Sequence, residues 1–333
     1  MPPFKQLALP DEQGVVHEDH DHFIKLPFSI QLANIAAVFL PPVALGVGMY
    51  LLWGWGFTLL HLLMMTLLYL ITGYGITIGY HRYFTHKSFE APGWVKNGLA
   101  ILGSMAAEGP LLRWVAHHRQ HHQHSDHEND PHSPHLHGGG FWGLWRGLWH
   151  AHAGWMFTPD APELHRYVKD LAADKALVWI SKTFALWVAI GLIIPAVIAG
   201  LLTMSWTGAL LGFIWGGIIR IAVVHHITWS VNSICHVWGA QPFRTHDHSK
   251  NNAIVGVLAL GEGWHNNHHA FPTSARHGLR WWEFDSSYII IWVMAKMGLV
   301  WKVRIPSAEL MEAKRADRES AAVLPVTQAT EPS

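Results

Sequence analysis

Three histidine patterns hold the residues best able to do chemistry in this chain. His81 and His86 stand in HRYFTH, spaced H-x4-H. His118, His121 and His122 lie in HHRQHH as H-x2-H-H, and His265, His268 and His269 repeat that spacing in HNNHH. Residues at i, i+3 and i+4 share one helix face with Cβ atoms about 5–6 Å apart, so each H-x2-H-H box presents its rings in one direction. Asn232 and His236, in VNSICH, are again i, i+4. Nine of the 27 histidines fall between Trp114 and Gly140. Such a cluster suits a metal buffer, a zinc module, a pH sensor or a catalytic metal site. One structural zinc takes four ligands, often with Cys among them. Eight box histidines plus His236, beside the single Cys235, exceed that and fit two metals better. Imidazole serves zinc, copper, iron and nickel alike, so the ligands alone do not choose the metal.

The elements that must position these rings are apolar. The 333 residues are 50% hydrophobic, 12% aromatic and only 14% charged, too charge-poor for an ordinary soluble enzyme. Lys+Arg and Asp+Glu both total 23, so no charge bias suggests nucleic acid as a partner. A lone cysteine excludes a disulfide framework and a fused iron–sulfur domain, so an electron donor has to be a separate protein. Four stretches reach the roughly 20 apolar residues that a spanning helix needs: 32–53, 57–80, 185–204 and 207–226. Their short inner turns carry no Lys or Arg, which places both termini and the long 81–182 segment on the cytoplasmic side. The expectation is an all-α membrane protein: two hairpins of spanning helices, interfacial helices, and a cytoplasmic cap carrying the histidine boxes. Residues 1–30 read as a polar tail, 31–305 as the working domain and 306–333 as a second tail. In FWGLWRGLWHAHAGWMF, Trp142, Trp145 and Trp149 recur at helical spacing, as in a helix lying in the membrane interface.

The combination HRYFTH, HHRQHH and HNNHH, with TWSVNSICH before the third box, resembles the membrane fatty acid desaturase family over about Leu32 to Arg304. GEGWHNNHHAFP followed by SARHGLRWWEFD is similar to its bacterial and cyanobacterial acyl desaturase branch. The resemblance implies a non-haem di-iron centre whose ligands, by position, are His81, His86, His118, His121, His122, His236, His265, His268 and His269, with Asn232 reaching a metal through water. It further implies O2 as cosubstrate, and a separate electron donor such as a ferredoxin or a cytochrome b5-like protein with its reductase. The substrate implied is a fatty acyl chain, first as a coenzyme A thioester, with membrane lipid or acyl carrier protein behind it. The branch implies a cis double bond at delta-9 and a bacterial inner membrane.

Removing two hydrogens from an unactivated chain needs an oxidant that no side chain supplies, so a redox metal with dioxygen must carry the reaction. Glu262 stands three residues before His265, but Gly261 and Gly263 flank it, which disfavours a helical Glu-x-x-His pair and points to a residue that orients a ligand. Trp114 and Trp229 precede boxes, and the resemblance implies that such positions help wall the acyl channel. Met65 and Tyr69, 16 and 12 residues before His81 on the second span, are expected at its floor. His117, His124, His127, His132, His135 and His137 fall outside the family pattern and, with Asp126, Glu128 and Asp130, read as a largely solvated polar turn. Animal acyl-CoA desaturases carry an Arg-Asp pair where this chain has Ala116-His117, which removes one cationic contact to coenzyme A. Two rivals remain at this stage. One is a hydroxylase of the same three-box type; the other is a metal transporter, whose ligands should lie near mid-membrane rather than at span ends.

Overall fold

The computed structural model describes residues 23–315, apart from 52, 53, 55 and 159. Most of the N-terminal tail with its Asp/His run, the expected end of the first span at Trp53, and residues 316–333 lie outside the described residues. A two-stranded antiparallel ribbon pairs Phe23–Lys25 with Asp160–Pro162. The other described elements are helices.

Four helices are long and apolar enough to cross a membrane: Phe28–Tyr50, Leu59–Thr85, Phe184–Thr203 and Trp206–Val237. They match the four expected segments, but the second and fourth run further than their hydropathy suggests. The second passes from α-helix at Leu59–Tyr74 into π-helix at Gly75–Thr85. The fourth passes through a π-helical stretch at Phe213–Ile219 before Arg220–Val237. Both extensions bury polar residues inside the protein, among them His81, Arg82, Ser233 and His236. Protein rather than lipid encloses them, so the helix continues after the apolar run has ended.

Burial separates the four helices by task. Of the apolar window in the fourth, 61% is buried, against 13% and 17% in the first and third. The outer helices expose Phe39, Leu40, Val43, Ile193, Val197 and Leu201, a surface that water would not support and hydrocarbon does. The third and fourth are joined by a tight turn: Met204 takes a left-handed conformation (φ 47°), and the Ser205 hydroxyl accepts the Gly208 N–H. The second helix is held by Gly93–Met105, whose backbone approaches so closely that a Cβ at Gly75 would lie 2.2 Å from the Gly103 nitrogen. Helix Gly140–His152 buries Gly143, Gly147, Leu148 and Ala151 while Phe141, Trp142, Trp145 and Trp149 face outward, the division expected of an interfacial helix.

Candidate metal centre

Each box arrives on a different element. His81 lies within the π-helical end of the second long helix and His86 directly follows it. His118, His121 and His122 ride on helix Leu111–His124, Asn232 and His236 on Arg220–Val237, and His265, His268 and His269 on the short helix His265–Ala270. The turn before that last helix depends on Gly261, whose φ of +112° disfavours side chains and whose Cβ would fall 2.3 Å from Asp285. It delivers Glu262 inward, against the second long helix.

The eight box histidines and His236 fall into two groups whose ring nitrogens lie within 4.8 Å of one another: His81, His86, His118, His122 and His268 in one, His121, His236, His265 and His269 in the other. Within the first, His268 Nε2 is 3.0 Å from His81 Nε2 and 2.9 Å from His122 Nε2, and His122 Nε2 is 3.1 Å from His118 Nε2. In the second, His236 Nε2 and His265 Nε2 are 3.0 Å apart. The Nε2 atoms of His86, His121 and His269 are buried with no hydrogen-bond partner. Buried polar atoms normally find partners. Converging lone pairs and orphaned nitrogens together fit a cation in each group.

The opposite ring nitrogens are tied to carboxylates. His81 Nδ1 is 2.6 Å from Glu262, His121 Nδ1 3.0 Å from Asp130, His236 Nδ1 2.8 Å from Asp126 and His269 Nδ1 2.6 Å from Asp247. A carboxylate on one imidazole nitrogen fixes the tautomer and aims the other nitrogen at a metal. Burial, and then neighbouring histidines, hold His86, His118, His122, His265 and His268 well below the ordinary histidine value, leaving them neutral and able to ligate. For His121 burial works against the charge, but Asp130 outweighs it and raises the pKa. Despite burial, the Glu262 carboxyl is held low by His81 and Arg82. The buried Arg82 also meets Asp285 at 3.0 Å, and His277 lies 3.2 Å from Glu262, so a network stands behind His81.

Several sequence expectations need correction here. Asp126, Asp130 and His132 were expected in a solvated turn but are buried, because the two aspartates hold ligand-group histidines. His117 faces a cavity instead of solvent. His127 and His135 are exposed as expected, although His135 Nε2 donates to the His236 carbonyl at 2.9 Å. Asp247 was not singled out in the sequence at all. A usable signal was present nonetheless: acids inside histidine-rich stretches, each with few or no Lys or Arg neighbours to pair with.

A cavity of about 400 Å³ reaches both groups, touching His81 and His118 of the first and His265 of the second. Asn232, Tyr69, Trp114 and Trp229 line it as well, and Trp114 stacks on His118 with centroids 5.2 Å apart. Met65 is not among its lining residues; it packs on the side of Leu211, Trp215 and Ile219. The expectation for Met65 assumed an uninterrupted α-helix back from His81, and the π-helical turns change both the phase and the rise of that count. Glu108 also faces the cavity, bonded to the Trp114 indole at 3.1 Å, and burial pushes its carboxyl up to about 7.

Four long apolar helices supporting two buried clusters of histidine beside one cavity describe an integral membrane protein whose histidine groups could each hold a metal ion. A family model described as fatty acid desaturase matches residues 53–304, and the chain belongs to the fatty acid desaturase family. It is an oxidoreductase acting as an acyl desaturase. It is 40% identical over 278 residues to the hex-5-enoyl-[acyl-carrier protein] acetylenase of Moorena producens, covering 83% of this chain and 87% of that protein. It is 39% identical to the sn-1 stearoyl-lipid 9-desaturase of Anabaena variabilis (72% and 82% covered) and 37% identical to the icosanoyl-CoA 5-desaturase of Limnanthes douglasii (70% and 62%).

Proposed function

We propose that the protein is an O2-dependent di-iron desaturase that inserts a cis double bond between C9 and C10 of a saturated fatty acyl chain. His81, His86, His118, His122 and His268 hold one iron; His121, His236, His265 and His269 hold the other, with Asn232 acting through a water. The four long helices form two hairpins that carry this centre as a cap on the cytoplasmic face of a bacterial inner membrane. The observation that carries the reading is the division of the eight box histidines and His236 into two converging groups beside a cavity.

The irons supply the activation of dioxygen, the oxidant that unactivated methylenes require. The chain's own residues do the rest. Glu262, Asp126, Asp130 and Asp247 hold protons on Nδ1 of their histidines, so that Nε2 is presented unprotonated. Trp114, Trp229 and Tyr69 confine the acyl chain and keep water from the reacting carbons. Overall, acyl-CH2-CH2 plus O2, two electrons and two protons gives acyl-CH=CH and two waters, the electrons coming from a ferredoxin or cytochrome b5-like protein. The acyl chain arrives as an ester or thioester, in keeping with the lipid, carrier-protein and coenzyme A substrates in the relatives' names.

Expression in a desaturase-deficient host with fatty acid profiling tests the reading. A delta-9 monoene is expected, with close to two irons per purified chain. An alcohol would indicate a hydroxylase and an alkyne an acetylenase; unaltered acyl chains would defeat all three.

A further inference from the structure

One corner of the cavity is lined by donors that have no acceptor. Arg113 and His117, one turn apart on helix Leu111–His124, face it together with Trp155 of the turn Gly154–Phe157. The His117 and Trp155 rings lie 5.3 Å apart. His117 Nδ1 and Trp155 Nε1 are buried and have no hydrogen-bond partner. Arg113 makes no ion pair or hydrogen bond among the described residues, and burial alone lowers its pKa. Of the nearby carboxyls, Asp130 is held by His121, while Glu108 bonds the Trp114 indole through Oε2 and leaves Oε1 buried, with neither oxygen hydrogen-bonded to Arg113, His117 or Trp155 among the described residues. Guanidinium and indole N–H groups only donate, so this corner lacks an oxygen.

We propose that Arg113, His117 and Trp155 form the subsite for the carbonyl oxygen of the acyl ester or thioester. This rests on the desaturase reading and adds to it the residues that set where along the chain oxidation falls. His117 directly precedes His118 of the first histidine group and Arg113 lies five residues before it, so the two stand about 1.5 and 7.5 Å along the helix axis from that ligand position. An oxygen held there fixes the count of methylenes between the carbonyl and the metal face. Ile30, Met156 and Phe184 line the same cavity, and a single guanidinium among apolar walls suits a carbonyl better than a multiply charged phosphate. The carbonyl is also the group that coenzyme A, carrier-protein and lipid substrates share.

The test uses full-length protein in nanodiscs with stearoyl-CoA, stearoyl-acyl carrier protein and stearoyl glycerolipid as separate arms. In the arm that the native protein turns over, Arg113→Gln should raise KM tenfold or more with kcat within twofold. It should also yield a second positional isomer of the olefin, which a general loss of packing would not produce. Trp155→Phe, which removes one N–H and keeps an aromatic ring, should do the same about threefold. A stearyl ether analogue lacking the carbonyl should bind native protein and both variants equally. Equal loss of ester and ether binding, or unchanged KM with a single isomer, would overturn the subsite. Loss confined to stearoyl-CoA and matched by weaker competition from coenzyme A alone would overturn it in favour of a carrier phosphate. If native protein makes no olefin in any arm, the desaturase reading itself fails, while ester-against-ether binding still tests the corner.

Discussion

The two histidine groups are built differently although they share two helices, Leu111–His124 and His265–Ala270. In the four-membered group, three rings are anchored through Nδ1 by their own aspartates: His121 by Asp130, His236 by Asp126 and His269 by Asp247. In the five-membered group only His81 has such an anchor among the described residues, Glu262, and that carboxylate is shared with Arg82 and His277. The other four are positioned by ring packing, as where His86 meets His122 with centroids 4.5 Å apart. One group is therefore held by separate charge-assisted bonds and the other by mutual contact around one carboxylate. Loss of one anchor should act locally in the first case and be spread over several rings in the second.

The largest expected effect removes a ring that belongs to the packed group. His268→Ala should lower olefin formation at least 100-fold while the protein stays in the membrane, because the apolar helices that fix insertion are untouched. Retention of more than a few per cent of activity would remove His268 from the centre. Asp247→Asn comes next, with a 10- to 100-fold loss and iron content falling from near two toward one. Glu262→Gln should cost about tenfold in activity with iron retained, since four further histidines remain around that position; equal iron loss in both variants would erase the contrast. A smaller, pH-dependent effect belongs to Glu108. Its carboxyl is neutral below about 7 and charged above, and a charge in the cavity opposes an acyl chain. KM should therefore rise about tenfold from pH 6 to pH 8 as the binding-competent neutral form is depleted, and Glu108→Gln should flatten that rise. Least of all, His135→Ala should stay within twofold of native activity, since that exposed ring bonds the His236 backbone carbonyl and packs on His248 rather than on a ring of either histidine group.

The boxes were legible because i, i+3, i+4 spacing survives in any helix, and the four long helices because hydropathy needs no tertiary context. The aspartates were not. Asp126 meets His236 from 110 residues away, and no local period announces such a pair. Arg82 reads in sequence as a cation at a span end, yet it is wholly enclosed by Glu262, Asp285 and the Ala275 carbonyl, all contributed by a distant segment. Met65 was misplaced for a different reason: helix type, not residue type, decided which way it faces.

That π-helical stretch, Gly75–Thr85, has a consequence for how this centre tolerates change over descent. Its wider turns accommodate more residues than an α-helix would over the same run of hydrogen bonds. Deleting one residue there, Ile78 for example, would favour ordinary α-helix and swing everything downstream by about 100°. His81 would leave Glu262, and Arg82 would leave Asp285, in a single event. Point substitutions can adjust this helix one contact at a time, whereas a lost codon would dismantle it whole, so gaps should be far rarer between Gly75 and Thr85 than in the loops on either side.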